Sequence, residues 1–467
     1  MTSLGTLTVD TASQPVLDYF SMFGNANPTF DNRYKYSTFT TVYPEVTSES
    51  NYRFSMHTDY GHTVLDLKKI LLVTKVTITD SKGQALAPNT VACPTNNLLY
   101  SMWRSIKVYC NNVCLMSMPN YGVYQAIRSM FESSAADKKS HMTKALFFED
   151  SETFYDTLSE SNSGYLSRRE PFGIEASDGT FVWNDNEVTM CGVLNTTLPN
   201  ISYQPYPCEI KIDMEKHNDA FCLQAAPMND PKKHLDIKLN IKSVVMHVLT
   251  YSLTESVFLK IVEKMNKESL RYYMNDCQVA IYTVASGTEH HIIESLSVGR
   301  IPKQIIFATQ TSDRYHGCLE KNSLRFPKYF EAPDGSGDTP ASNLLSVKLT
   351  VGHTEVDGLW VEKPSSDYAV NYYKYFMLND MLAGGHNLPS DLSPTRFISD
   401  FHTHFFDLGV SLNQSPEWCK QPVKAGAMRA YFQFSRPTPT PVTIFALIIS
   451  DACIVMDKAG RVTKETT

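Results

Sequence analysis

The sequence lacks the short motifs that mark most catalytic and metal sites. Its ten cysteines include no CxxC pair, whereas a zinc site usually needs paired short spacings. No GxSxG, HExxH, Walker or Rossmann pattern is present. The sequence therefore predicts no enzyme, and we expect no catalytic residue, no cofactor and no metal ligand.

Long apolar runs are missing too. A helix needs about 18 apolar residues to cross a bilayer, and the longest run, 442–449, has only the length of a strand. The opening segment MTSLGTLTVDTASQ has no basic region and no apolar core, so it does not resemble a signal peptide. We expect no membrane span, and cysteines that are buried free thiols in a reducing compartment.

The excess of positive charge found in nucleic-acid coats is also absent. The chain has 42 Lys and Arg residues against 49 Asp and Glu, which gives a net charge of -7 at pH 7 and a pI near 6.0. This balance does not suit a protein that covers itself in nucleic acid. Because 42% of residues are apolar and only 19% are charged, there is enough material for sizeable cores.

What the sequence has in abundance is residues that favour strands. There are 25 tyrosines and 24 phenylalanines, and aromatic side chains fit the pleated surface of a sheet. Two long stretches, at about 50–250 and about 277–456, consist of short alternating or apolar runs separated by turn residues. The pattern predicts an all-β protein of two tandem antiparallel sandwiches, which a chain of 467 residues can accommodate.

Turn residues and changes in composition suggest five regions. They are an irregular N-terminal arm (1–49), a first sandwich (50–252), a helical linker (253–275), a second sandwich (276–456) and an extended polar C-terminal tail (457–467).

Four local predictions follow from composition. Asn111 and Asn112 tolerate the left-handed backbone of a tight turn, so the apolar runs beside them predict a hairpin. Residues 121–134 are helical in composition, and the polar, glycine-containing stretch 137–185 predicts a long insertion loop. The last strand, 443–456, is apolar on both faces and is expected to lie centrally in its sandwich.

Five ordered segments form a recognisable series. They are PTNNLLYSMW (94–103) running into IKVY (106–109), YGVYQA (121–126), the NSG and RR of 162–169, DAFCL (219–223) and GRIPKQII (299–306). In this order they resemble motifs of the major capsid proteins of Maverick/Polinton elements and adintoviruses. The resemblance spans about residues 50–456.

The resemblance implies a fold and a role. Members of that family are double jelly rolls with short helices in loops and linker, and they assemble as homotrimers that look hexagonal because each subunit supplies two similar sandwiches. The implied function is a major capsid protein that tiles an icosahedral shell. The implied partners are other copies of the chain, penton proteins and minor capsid proteins. The implied location is the virion capsid, after synthesis in the host cytoplasm or nucleus.

One cluster suggests an alternative. On a strand, His402 and His404 would point to the same face, with Asp400 and Asp407 nearby, and HxH followed by a carboxylate occurs in the metal motif of cupin sandwiches. The glycine spacing and the second histidine motif of cupins are missing. A jelly-roll metalloenzyme therefore remains an alternative hypothesis, as does a double sandwich that binds a receptor or carbohydrate.

Other candidate groups are weaker. Glu289, His290 and His291 adjoin a turn, but neighbouring strand residues face opposite sides and do not chelate easily. Cys110 and Cys114 flank the predicted hairpin and are expected to pack inside.

Basic residues occur in isolated groups. The pairs are interpreted as solvated loop residues: Lys68-Lys69, Lys138-Lys139, Arg168-Arg169 and Lys232-Lys233. In the predicted tail, Lys458, Arg461 and Lys464 offer a weak contact to the genome or to a minor protein.

Overall fold

The chain folds into two β-sandwiches, as a computed structural model shows. The structure describes residues 34–57, 62–151, 158–196, 208–226, 236–297, 301–330, 342–352, 354–356, 372, 392–408 and 426–466. Antiparallel pairing joins the strands of every sheet, and the prediction of an all-β chain with few short helices is confirmed.

The first sandwich packs a four-stranded sheet against a five-stranded sheet. In spatial order the four strands are β1 (Tyr34–Val42), β13 (Lys238–Leu253), β4 (Thr63–Thr79) and β10 (Val188–Val193). The five are β2 (Val46–Thr47), β3 (Asn51–His57), β11 (Glu209–Lys216), β6 (Trp103–Cys110) and β7 (Val113–Pro119).

The second sandwich repeats this plan. One sheet has the order β14 (Leu270–Val284), β22 (Val442–Met456), β16 (Gln304–Thr311) and β20 (Thr403–Asp407), with β23 (Val462–Thr466) also paired to β22. The other has the order β15 (His290–Ser297), β21 (Met428–Phe434), β18 (Ser342–Val351) and β17 (Tyr329–Phe330), with β19 (Thr354–Val356) also paired to β18.

Short elements fill the connections. Two small sheets pair β5 (Ala92–Pro94) with β12 (Leu223–Ala225), and β8 (Gly173–Glu175) with β9 (Phe181–Trp183). The α-helices are α1 (Leu98–Ser101), α2 (Tyr121–Glu132), α3 (Ala135–Lys139), α4 (Ser163–Arg169), α5 (Asp219–Cys222), α6 (Glu255–Lys267), α7 (Ser312–His316) and α8 (Pro394–Ser399). Two 3₁₀ helices span His141–Ala145 and Glu170–Phe172. None of the described helices is long and apolar enough to cross a membrane.

Several local predictions agree with the structure. Asn111 and Asn112 have φ values of 46° and 68°, and they close the hairpin of β6 and β7. Helix α2 occupies most of 121–134. Strand β22 lies between β14 and β16, as its two apolar faces predicted.

The predicted region limits differ from the observed elements at three places. Strand β1 lies inside the predicted irregular arm, because its Thr-rich sequence pairs along β13 while its side chains stay mostly exposed. Strand β14 begins at Leu270, inside the predicted linker, because residues 270–275 already pair with β22, starting with Leu270 opposite Met456. The predicted extended tail contains β23, which adds to β22.

The predicted insertion loop is also corrected. Between 137 and 185 the described residues form helices α3 and α4, both 3₁₀ helices and the hairpin of β8 and β9. Its polar residues satisfy the backbone locally: Ser134 and Asp137 form a capping box, and Asn162 caps α4. Polar composition therefore reflected caps and turns rather than absence of structure.

The two sandwiches share a core cluster that fills the first and extends onto the outward face of one sheet of the second, whose interior holds a separate cluster. On β22, Ile444 and Ala446 face the interior of the second sandwich, whereas Phe445 and Leu447 belong to the cluster that fills the first. Alternate residues of a strand point to opposite faces, so this strand serves two cores at once. Its apolar character on both faces follows from that position.

Truncating the outward face of β22 should destabilise both sandwiches. Phe445 is 1% exposed and makes edge-to-face contacts with Tyr315 and Phe326, at centroid distances of 5.5 and 5.8 Å. We expect Phe445→Ala to lower the free energy of unfolding by about 3–5 kcal/mol, because it leaves a cavity in a shared core. Urea denaturation measures the loss. Ile292→Ala is the control, because Ile292 is 47% exposed, and it should change the free energy of unfolding by less than about 0.5 kcal/mol. Equal losses for the two variants would contradict the shared core.

Candidate functional site: the joint between the two sandwiches

The joint is formed by one side of the first sandwich and the outward face of the β14–β22–β16–β20 sheet. Strand β7 contacts both β14 and β23, and α5 contacts α7. Tyr272 of β14 is largely buried beside Cys110 and Cys208; burial and these two thiols raise its pKa well above the usual range. Buried apolar residues of both sandwiches belong to one cluster, so apolar packing forms the centre of the joint.

Hydrogen bonds cross the joint around this apolar contact. Asn111 Nδ2 donates to Gly460 O at 2.9 Å, and the Tyr315 hydroxyl lies 3.2 Å from Asn120 Oδ1. Asn218 Nδ2 donates to His316 O at 2.7 Å. Because such bonds require a particular approach of the two surfaces, they fix the relative orientation of the sandwiches.

A buried ion pair lies under the insertion of the first sandwich. Arg168 and Asp150 have side chains that are 0% exposed, and Arg168 Nη1 lies 2.8 Å from Asp150 Oδ1. The guanidinium also donates to Pro94 O at 3.1 Å and to Phe148 O at 2.8 Å. Burial alone would lower the pKa of Arg168, but Asp150 more than compensates, so the guanidinium stays charged.

A glycine permits this close packing. A Cβ at Gly164 would stand 2.5 Å from both Asp150 Oδ1 and Glu149 O. Any larger residue would displace the backbone that carries the carboxylate. Gly164 belongs to the NSG segment, so this motif residue has a steric explanation.

The ionic cluster extends to the second sandwich. Glu149 forms an ion pair with Lys138 Nζ at 2.9 Å and accepts a hydrogen bond from Arg396 Nη1 at 2.8 Å, and Arg396 Nη2 donates to Asp150 O at 3.3 Å. Arg396 lies in α8 of the second sandwich, whereas the other three residues belong to the insertion. The insertion thus ties the two sandwiches together by charge. No sequence pattern pointed to Arg396 as a partner, because 247 residues separate it from Glu149.

The second sandwich has a comparable buried pair. Arg325 Nε donates to Asp400 Oδ1 at 3.1 Å and to Ser399 O at 3.1 Å, and the side chains are 4% and 0% exposed. Asp400 therefore anchors the chain before β20, which is where the sequence suggested a candidate metal cluster.

The candidate metal residues lie in this same packed region. His402 and His404 are buried, their ring centroids are 4.8 Å apart, and the rings are perpendicular. Phe397 packs edge-on against His402 at 5.5 Å. Asp407 pairs through its backbone with Gln304. Among the described residues there is no group of three His, Cys, Asp or Glu side chains that could hold a metal ion.

The other candidate clusters are dispersed. His290 is exposed and His291 half-buried on β15, and burial lowers the pKa of His291. Cys110 is buried, whereas Cys114 is half-buried and lies 3.4 Å from Met116 O. All nine described cysteines are free thiols; Cys419 lies outside the described residues. The nine are Cys93, Cys110, Cys114, Cys191, Cys208, Cys222, Cys277, Cys318 and Cys453.

The interpretation of the basic pairs as solvated is wrong at two positions. Lys138 and Arg168 are buried in the ionic cluster, because the insertion folds over them. Arg169 stacks on the ring of Phe181, 3.6 Å from its centroid. Lys69 and Lys139 are exposed, as expected, whereas Lys232 and Lys233 lie outside the described residues.

The C-terminal basic residues are not equivalent. Lys464 pairs with Asp276, while Lys458 and Arg461 are exposed at the turn before β23. The ion pair with Asp276 of β14 therefore occupies one of the three positive charges that the sequence offered for outside contacts.

The motif segments converge on the joint and the insertion. Asn96 Oδ1 accepts from the backbone N–H groups of Asn97 and Phe148 at 2.9 and 2.8 Å, and Asn97 Nδ2 donates to Ser129 Oγ at 3.0 Å. Asn97 itself has φ 59°. These side chains hold α1, α2 and the insertion in place. The polar residues of this motif therefore have a structural role.

Solved structures with the same fold come from viruses. A chain of the Sputnik virophage structure superimposes with a TM-score of 0.62 at 11% identity, covering 97% of this chain and 92% of that chain. The Faustovirus major capsid protein gives 0.58 at 8% identity (93% and 92%), and the mavirus major capsid protein gives 0.52 at 12% identity (96% and 93%). No protein-family model and no curated protein sequence matches the chain. The predicted fold, a double jelly roll, is confirmed.

Removing the buried guanidinium should be far more costly than removing an exposed one. We expect Arg168→Ala to lower the free energy of unfolding by about 3–5 kcal/mol, because it leaves the Asp150 carboxylate buried without its cation. Arg53→Ala is the matched control: Arg53 forms a 2.7 Å pair with Asp213 but is half-exposed, so its loss should cost about 1 kcal/mol or less. Urea denaturation of both variants measures the difference, and similar losses would contradict a structural role for the cluster.

A second prediction concerns acid. His217 stacks on Phe221 at the joint, 3.7 Å between centroids, and burial lowers its pKa from 6.5 to about 4. The folded protein therefore favours the neutral ring. The contribution of His217 to the free energy of unfolding is complete above pH 6.5 and is lost as the pH falls toward 4. The loss is about 3 kcal/mol. We expect His217→Gln to remove that part of the acid destabilisation, measured as the free energy of unfolding between pH 7 and 4.

The exposed residue His290 supplies the control for this measurement. His290→Gln should follow the wild-type pH profile. If the His217→Gln profile ran parallel to the wild type as well, burial of a neutral His217 would be disproved.

Proposed function

We propose that the chain is a viral major capsid protein. It forms homotrimers that act as pseudo-hexagonal capsomers, and these tile an icosahedral shell. The observation that carries the proposal is the nearly end-to-end likeness to capsid chains, with at least 92% of each of three compared chains covered. A likeness that includes both sandwiches and their connection supports a role that uses the whole chain.

The mechanism is association rather than catalysis. Each copy contributes two sandwiches that are held in fixed orientation by a shared core and by ionic contacts such as Arg396 with Glu149. Three such copies present six similar modules, and closed symmetry makes the trimer. Stable interfaces of this kind bury about 2,000–5,000 Å² in total, and weaker contacts at the capsomer edges join the trimers.

The motif series favours the Maverick/Polinton and adintovirus type among capsid proteins. The further partners are penton and minor capsid proteins, and the location is the virion capsid after synthesis in the host cytoplasm or nucleus. A weak genome contact by the C-terminal segment would use Lys458 and Arg461, since Lys464 is engaged with Asp276.

Electron microscopy and mass measurement test this function. We expect purified protein at micromolar concentration to have about three times the 52.7 kDa mass of one chain by light scattering, and expressing cells to contain hexagonal capsomers or closed shells. Cells that carry the empty vector are the control. A uniform 52.7 kDa monomer without particles would contradict the proposal.

A further inference from the structure

Strand β13 has one edge that is only half paired. On one side it pairs with β4 from Lys238 to Ser252, whereas on the other side β1 pairs only with residues 246–253 and ends at Val42. Among the described residues, the edge of 238–245 therefore has no neighbouring strand. Its backbone N–H and C=O groups need side chains, water or a ligand as partners.

A groove runs along this unpaired edge. Residues 238–245 form one wall, the turn from Tyr43 to Tyr52 forms the other, and the space between them, called here the β13 groove, has a volume of about 610 Å³. Ligand pockets commonly have about 300–1,000 Å³. The β13 groove is therefore large enough to enclose part of an oligosaccharide or a molecule of similar size.

Backbone hydrogen bonds hold both walls of the β13 groove in place. Ser48 N–H donates to Asn51 O at 2.9 Å, and Asn51 N–H donates to Ser48 Oγ at 2.9 Å, so the turn is closed on itself. Lys216 N–H donates to Ser50 O at 2.6 Å, and Lys216 Nζ donates to Leu239 O on the opposite wall at 2.7 Å. A ligand would therefore find a preformed site, which lowers the cost of binding.

The β13 groove is positively charged although the protein is acidic. Among the described residues that line it, three are lysines, Lys216, Lys238 and Lys242, and one is a carboxylate, Glu49, which lies 3.7 Å from Lys238 Nζ. This local excess of positive charge contrasts with the net charge of -7 of the whole chain. Lys216 also pairs with Asp219 outside the groove, whereas Lys242 is exposed. The groove thus suits an anionic ligand, with Lys242 as its accessible cation.

Lys242 lies at a bulge of β13. The register between β13 and β4 shifts between Ile241 and Ser243, so Lys242 has no partner residue on β4. Bulges redirect a side chain and interrupt the pairing of a strand, and lysines on an edge discourage the addition of another strand. The geometry therefore disfavours an extended peptide along this edge and favours a ligand that contacts side chains and single backbone groups.

Aromatic and polar groups complete the β13 groove. Tyr43 is 68% exposed, so its ring is accessible, and Ser48 and Asn240 add a hydroxyl and an amide. An aromatic ring offers an apolar surface for the C–H groups of a sugar, while amides, hydroxyls and backbone groups match its hydroxyls as donors and acceptors. These are the groups that a sugar with a negative charge requires.

We infer that the β13 groove binds an oligosaccharide that carries sulfate or carboxylate groups. Lys242 pairs with the anionic group, Tyr43 packs against a sugar ring, and the free backbone groups of residues 238–245 bond to sugar hydroxyls. The inference goes beyond the proposed capsid function and does not depend on it, because the β13 groove lies within one sandwich of a single chain.

Titration calorimetry of the purified full chain tests the inference. The probes are a sulfated heparin tetrasaccharide and a sialylated trisaccharide, with neutral maltotetraose and inorganic sulfate as controls. We expect at least one anionic sugar to bind with a Kd at least roughly tenfold lower than those of both controls, because it alone combines a charge-assisted hydrogen bond with contacts to the sugar. The anionic sugar that binds more tightly identifies sulfate or carboxylate as the preferred group.

Two substitutions separate the roles of charge and ring. Lys242→Gln should raise the Kd of the anionic sugar by roughly tenfold or more. Tyr43→Ala should raise it by about threefold to tenfold and leave the weak binding of inorganic sulfate unchanged. Both side chains are exposed, so the thermal midpoint should stay at the wild-type value. Lys267→Gln is the matched control, because Lys267 is 71% exposed on α6; it should bind the sugar as the wild type does.

Four outcomes would overturn the inference. They are a wild-type protein that binds neither anionic sugar at millimolar concentration, an equal loss of affinity in Lys267→Gln, unchanged affinity in Lys242→Gln, and tighter binding of an oligonucleotide or an acidic peptide that also requires Lys242. Light scattering of the same samples keeps the two proposals apart. A monomeric protein that binds the sugar contradicts the capsid function alone, and a trimer that binds no anionic sugar contradicts this inference alone.

Discussion

The burial of one apolar sheet face against a second sandwich is the constraint on which the rest of the structure depends. Strand β22 satisfies it by supplying Ile444 to the interior of its own sandwich and Phe445 to the neighbouring one. A sandwich standing alone would leave the second of these faces in water, at a cost of about 25 cal/mol for each Å² of apolar surface. The two modules are therefore one folding body, although each has the strands of a complete jelly roll.

Apolar packing by itself does not specify the relative orientation of the two sandwiches. The buried charges do specify it. A buried ion pair contributes little net stability, since desolvation offsets its Coulomb energy, but breaking one partner is severely penalised. Glu149 pairs with Lys138 in the insertion and with Arg396 in the second sandwich, so a rotated or shifted joint would separate Arg396 from this carboxylate. The insertion thus restricts the joint to one arrangement.

Sequence reasoning succeeded where a local pattern had a local cause. The Asn111-Asn112 hairpin and the doubly apolar β22 could be predicted because turn chemistry and strand periodicity act over a few residues. It failed in the insertion, where polar composition suggested a loop although caps such as Asn162 satisfy the backbone. The ion pair of Arg396 with Glu149 could not be predicted, because a contact between residues 247 positions apart leaves no pattern in a single sequence.

Joining two sandwiches in one chain changes the thermodynamics of their association. A linked module meets its neighbour at a high effective concentration, so the joint forms during folding and needs no encounter between molecules. Such a joint can bury a fully apolar sheet face, as the burial of Leu447 and Ile306 shows. The corresponding sheet of the first sandwich has no linked module on its outward face among the described residues, and Val73 and Val245 there are only half-buried. The two equivalent sheets thus differ in burial because the linkage supplies a neighbour to only one of them.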